Sequence, residues 1–101
     1  MNIDIEFYKV FCTVAENGSF SKAAEKLYIS QPAITQTIRK LEEQLGGQLF
    51  YRSNNGVLLT EEGKHLYEYI KDSMGTIENA YSKFNQYMNI NEGIIRIKAR
   101  K

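Results

Sequence analysis

The apolar residues Ile34, Ile38, Leu41 and Leu45 recur at intervals of four, three and four, the spacing that lines one face of an α-helix. Ser30 ahead of them is a good N-cap, and Pro32 fits a first turn, where its missing N–H had no intrahelical partner anyway. Gly46 supplies a left-handed stop. The pattern therefore predicts a helix over 31–45. Upstream, Ala23, Ala24 and Leu27 form the inner face of a shorter helix, and alanines let two helix backbones cross closely at a steep angle, as in a helix-turn-helix. An earlier helix is expected to start at Asp4, bury Phe7, Phe11, Val14 and Ala15, and end at Asn17-Gly18.

After Gly46-Gly47 the pattern changes. Leu49-Phe50-Tyr51-Arg52 and Val57-Leu58-Leu59 are short β-prone runs separated by Ser53-Asn54-Asn55-Gly56, in which Asn-Gly is a hairpin signal. A hairpin that follows a helix-turn-helix is a wing, or else it merely closes the core. Thr60 then caps a further helix, with Glu61 and Glu62 suited to the positive end of its dipole. Its apolar positions Leu66, Ile70, Met74, Ile77, Tyr81, Phe84 and Met88 alternate steps of three and four after the first two, close to a coiled-coil seam. A helix of roughly 28 residues is about 42 Å long, more than a domain of this size covers, so part of the seam needs a partner helix. Gly75 sits inside it. Asn89-Ile90-Asn91-Glu92-Gly93 is expected to break the helix, and Ile94-Ile95-Arg96-Ile97-Lys98 reads as a strand. The predicted class is mainly α with a small β-hairpin wing. Residues 1–59 are expected to form a winged helix-turn-helix and 60–90 a dimerisation helix, with 91–101 a separate segment beyond it.

A chain of 101 residues holds one small domain. No apolar run approaches the ~20 residues of a membrane span, and the acidic start Met1-Asn2-Ile3-Asp4-Ile5-Glu6 is unlike a secretory signal, so a cytoplasmic location is expected. Cys12 is the single cysteine, among Tyr8, Phe11 and Ala15, and reads as a small core residue. Charge is balanced over residues 1–59, where Lys9, Lys22, Lys26, Arg39, Lys40 and Arg52 face Asp4, Glu6, Glu16, Glu25, Glu42 and Glu43. Five of those six cations fall in or just after the helix-turn-helix, whereas five of the six acids lie before it or at the end of its second helix. Phosphate binding depends on cations gathered on one face, so the distribution favours nucleic acid more than the total does.

With the apolar stripe of the 31–45 helix turned inward, Gln31, Thr35, Gln36 and Arg39 point out from its start. Amides, a hydroxyl and a guanidinium are groups that read base edges and hold phosphates. On spacing alone, an ordinary helical hairpin with a solvated polar face would look the same. An enzyme has little support: His65 is the only histidine, with no second His or Cys near it to suggest a metal site or a nucleophile pair, so no cofactor or metal is expected.

The set Phe11, Glu16, Gly18-Ser19-Phe20, Ala23-Ala24, Leu27, Ser30-Gln31-Pro32-Ala33, Thr35, Ile38, Leu41-Glu42, Leu45-Gly46, Leu49-Phe50, Arg52, Leu59-Thr60 and Gly63 resembles the LysR-type transcriptional regulators over about residues 3 to 99. The resemblance implies a sequence-specific regulator whose helix-turn-helix enters the major groove of an operator. It further implies an antiparallel homodimer through the linker helix, with larger assemblies of paired dimers. By the same resemblance Gln31, Pro32 and Thr35 look like base contacts, Ser21 and Ser30 like phosphate contacts, and Arg52 like the contact of the wing. Gln36 stands where many relatives carry arginine, and the wing tip Asn54-Asn55 offers amides in place of a basic residue. In the family a two-lobed effector domain follows, of which Gly93 to Ile97 looks like the first strand, so no small-molecule effector is expected for the chain as given. A module that heterodimerises with full-length regulators is the alternative.

Overall fold

The computed structural model describes the backbone of residues 4–99 and the side chains of residues 4–89; the expectations for residues 1–3 and 100–101 lie outside it. Four helices and one hairpin follow in order: α1 (Ile5–Asn17), α2 (Phe20–Leu27), α3 (Gln31–Leu45), β1 (Phe50–Ser53), β2 (Gly56–Leu59) and α4 (Glu61–Ala99). Each of the first three helices starts where a short polar side chain caps it. Asp4 accepts from the amide of Glu6, Ser19 from that of Lys22 and Ser30 from that of Ala33. Gly18 and Gly46 end α1 and α3 in the left-handed conformation, as the sequence predicts.

Between these ends the apolar faces meet in one cluster. Phe11, Val14, Ala23, Ile34, Ile38 and Leu41 are fully buried, and Phe50 from the hairpin joins them with its ring 5.5 Å from that of Phe11. Val10, Phe20 and Leu49 also lie inside, although the helical spacing did not single them out. Phe7, Ala15 and Leu27, expected inside, are only partly covered. Leu45 is a larger departure: the last turn of α3 leaves it exposed, because that turn lies past the helices that cover Ile34 to Leu41. Cys12 packs at the edge of the cluster.

Strands β1 and β2 pair antiparallel, Phe50 with Leu59 through Ser53 with Gly56, so Asn54-Asn55 is the two-residue connection. Gly56 carries the positive φ of 123°, and a side chain there would meet the carbonyl oxygen of Gly18 at 2.5 Å. That approach exists because the Val57 amide donates to the same carbonyl at 3.1 Å, which fastens the base of the hairpin to the end of α1.

The chain divides into two units, Met1–Lys71 and Asp72–Lys101, the first of which takes in the opening turns of α4. The reason lies in the contacts of those turns. Thr60, almost wholly buried, donates to the Gln48 carbonyl at 2.7 Å and accepts from the Gly63 amide at 2.9 Å. Leu66 and Tyr67 pack against the core, and the Tyr67 hydroxyl donates to Glu16 at 3.0 Å. Leu66, expected in the seam, is thereby assigned to the domain. Further on, α4 continues through Asn89–Gly93, where a break was expected, and takes in Ile94–Lys98, expected as a strand. One internal glycine costs a helix only about 1 kcal/mol, and no proline interrupts the segment. A lone strand would need a partner for its backbone groups, whereas a helix satisfies them locally.

One residue of this unit is strained. Tyr28, the C-cap of α2, adopts φ 58° and ψ 39°, a left-handed conformation that costs a residue with a Cβ roughly 1 kcal/mol or more. Its side chain is 93% exposed, so replacing it sacrifices no packing. Tyr28→Asn should therefore raise stability by up to about 1 kcal/mol, a shift of about 4–8 °C in the melting temperature of a domain of this size. An unchanged or lower melting temperature in calorimetry would show that the ring contributes more than the strain costs.

Candidate nucleic-acid interface

The exposed edge of α3 is assembled from its N-terminus. Because Ser30 caps the helix and Ile34, Ile38 and Leu41 are drawn inward, Gln31, Pro32, Gln36 and Arg39 face out, with Thr35 half-buried between them. These five residues line one shallow concavity. Beside it lies a groove walled by the start of α2 and by the hairpin. Ser21, Lys22, Gln31, Thr35, Arg52, Asn54 and Asn55 all contribute to it, and Gln31 and Thr35 belong to both surfaces.

Nine of the ten residues expected to contact DNA are thus gathered on one contiguous face. Ser30 is the exception. Its Oγ accepts from the Ala33 amide at 3.2 Å, which leaves only its hydroxyl proton to donate elsewhere. Ser21 is oriented in turn by the capping residue of α2, with its Oγ 3.0 Å from that of Ser19. Lys22 was not singled out from the sequence, although it sits beside Ser21 in the exposed first turn of a helix, the place where a cation can reach a ligand lying over that helix start. Asn17, Ser19 and Phe20, from the end of α1 and the start of α2, complete the wall.

Among the described residues, no aspartate or glutamate lines either concavity. The ion pairs of the described residues lie elsewhere, Lys9 with Glu6 and Lys64 with Glu61. Lys22, Arg39 and Arg52 consequently present uncompensated charge on a face that otherwise carries amides and hydroxyls. Arg52 is held in place, its Cζ 4.8 Å above the ring of Phe20. A balanced net charge is therefore compatible with a locally positive surface, the electrostatic footprint of an anion-binding face.

Two titratable groups away from this face are shifted by their surroundings. Burial and the nearby Glu16 carboxylate push the Cys12 thiol up to about 11, so it stays protonated and unreactive near neutral pH. Burial and the hydrogen bond to Glu16 raise the Tyr67 phenol to about 12. Among the described residues, no group of three or more His, Cys, Asp or Glu side chains could hold a metal ion, and no helix is long and apolar enough to cross a membrane.

The chain is similar to known proteins over most of its length. Residues 5–64 match the model of the bacterial regulatory helix-turn-helix proteins of the lysR family. The HTH-type transcriptional activator AllS of Klebsiella pneumoniae is 40% identical over 94 residues, 93% of this chain and 34% of that protein. The uncharacterized HTH-type transcriptional regulator YxjO of Bacillus subtilis is 38% identical over 85 residues, 84% of this chain and 29% of that protein. This chain thus spans about a third of the length of those relatives. Among solved structures, the DNA-binding domain of BenM in complex with catB site 1 DNA superposes with a TM-score of 0.83 at 32% identity, covering 88% of this chain and 96% of that one.

Proposed function

Because the chain belongs to the LysR family of bacterial helix-turn-helix regulators, we propose that it binds duplex DNA sequence-selectively as a dimer, with α3 in the major groove and the hairpin over the adjacent backbone. The observation that carries this reading is the acid-free face on which Gln31, Thr35, Gln36, Arg39 and Arg52 stand together. An α-helix fits the major groove, where a glutamine amide can pair with the N6 and N7 edge of adenine and an arginine with the O6 and N7 edge of guanine. Ser21 and Lys22, in the first turn of α2, are the groups this reading offers to phosphates, which fix register without reading sequence. The wing amides Asn54 and Asn55 supply neutral hydrogen bonds there, so the wing's charge rests on Arg52. The relatives are named as regulators of transcription, and regulation through an operator is the role proposed here.

Selection from a pool of random duplexes should enrich one motif, and recovery of none at low salt would defeat the proposal. Gln31→Ala should then cost about 1–3 kcal/mol at its cognate base pair and flatten discrimination at that position only. Arg52→Ala should weaken all sequences alike and reduce the slope of log affinity against log salt by about 0.9 for each phosphate that the guanidinium neutralises. Equal losses for Gln31→Ala on every base pair would show that this amide positions the protein rather than reads the site.

A further inference from the structure

We propose that Phe20 is a positioning residue for Arg52, its ring holding the guanidinium at the mouth of the groove between hairpin and α2 where a DNA phosphate would lie. The inference rests on the DNA-binding reading above and adds a device that reading does not contain. It begins with the alternation of a strand. Successive side chains of β1 point to opposite faces, so Arg52 shares a face with Phe50 rather than with Tyr51. Phe50 is buried in the core while Arg52, two residues on, emerges at the rim. Phe20 lies under both. Its ring is buried and meets that of Phe50 edge-on, with centroids 6.1 Å apart and planes at 88°. One face of Phe20 is thus left for Arg52, whose Cζ stands 4.8 Å from the ring centroid.

A ring differs from a carboxylate as a holder of arginine. Attraction between the guanidinium and the ring quadrupole fixes the side chain without cancelling its charge. A ring takes up none of the guanidinium N–H groups in an ion pair, so they stay able to donate to phosphate oxygens. Among the described residues, no acid lines the groove to compete for them. A long side chain already ordered in the free protein loses less freedom on binding than one that must be immobilised there.

The test is a double-mutant cycle read by fluorescence anisotropy on a labelled mixed-sequence duplex of about 40 base pairs, across a salt series. Phe20→Leu should weaken binding roughly three- to tenfold, and Phe20→Tyr, which keeps a ring face, should bind within about twofold of wild type. In the Arg52→Ala background, Phe20→Leu should change affinity by less than about twofold. A loss of equal size in both backgrounds would assign Phe20 a general packing role and overturn the proposal, as would wild-type affinity for Phe20→Leu. Arg52→Lys provides a variant that leaves the core intact. It keeps the charge but not the flat face, so its binding should fall several-fold at an unchanged melting temperature, and wild-type binding by Arg52→Lys would overturn the proposal equally. A wild-type chain that bound no duplex would remove the DNA-binding reading itself, an outcome distinct from binding that is indifferent to Phe20.

Discussion

Ile77→Asp is expected to abolish the proposed dimer and to lower affinity for a duplex carrying two half-sites by about 100-fold or more. The expectation starts from α4 beyond Lys71. Ile77, Tyr81, Phe84 and Met88 recur at steps of four, three and four along it and are 52%, 69%, 60% and 40% exposed. A stripe of large apolar side chains at that spacing is the seam by which two helices pack, and covering it removes apolar surface from water. A carboxylate placed in the seam must be desolvated without a partner or protonated, and either outcome disfavours association strongly. Asn79→Asp adds the same charge on the opposite face of the helix and should leave the dimer intact. DNA affinity follows because each domain brings few cations. Joining two domains makes the second contact intramolecular, which raises affinity by factors of about 10²–10⁴. Light scattering and anisotropy on the three proteins check both halves of the expectation. A wild-type chain monomeric at about 100 μM would refute the dimer itself, and an Ile77→Asp chain that still dimerises would place the interface elsewhere.

Gly63→Ala should cost the domain about 3 kcal/mol, although alanine is the better helix former by about 1 kcal/mol. Gly63 lies in the first turn of α4, where its backbone passes directly against the Leu49 carbonyl. A Cβ at this position would overlap that oxygen and come within 3.1 Å of the Leu59 side chain. The oxygen cannot yield cheaply, since it accepts from the Thr60 amide at 2.9 Å, and the Leu49 amide is itself held by Glu42 at 2.8 Å. Relieving the overlap would disturb the Thr60 cap that joins α4 to the hairpin. At roughly 4–8 °C per kcal/mol, the melting temperature should fall by about 12–24 °C. Gly47→Ala is the matched control. Nothing lies within 4 Å of a Cβ there and its φ is not in the left-handed region, so the substitution should be neutral or stabilising by up to about 1 kcal/mol. A loss below about 1 kcal/mol for Gly63→Ala would mean that the start of α4 can move away from the hairpin without penalty.

Most of the helix-turn-helix was legible in the chain itself. The ends of α1 and α3 follow from caps within a few residues of them, and Gln31–Leu45 is bounded as Ser30 and Gly46 predict. The hairpin appears where the β-prone runs were, with the connection on Asn54-Asn55 and the positive φ on Gly56. The exposed face of α3 was readable too, because drawing Ile34, Ile38 and Leu41 inward leaves no choice about which side chains point out. The end of α4 was not. Asn89–Gly93 looks like a break by composition, yet weak helix formers only lower the propensity and do not forbid the conformation.

What the sequence determined by itself is therefore what depends on neighbours three or four residues away: the caps, the apolar stripes, the class of fold and the polar set at the start of α3. Tertiary structure alone decided which of those polar groups share a surface, that Phe20 lies beneath Arg52, that Gly63 must pass the Leu49 carbonyl, and that Leu66 serves the domain rather than the seam. Helical hydrogen bonds and side-chain periodicity are set within a turn of chain, so local chemistry specifies them. Contacts such as Tyr67 with Glu16, 51 residues apart, depend on how whole elements pack, and no local pattern records that.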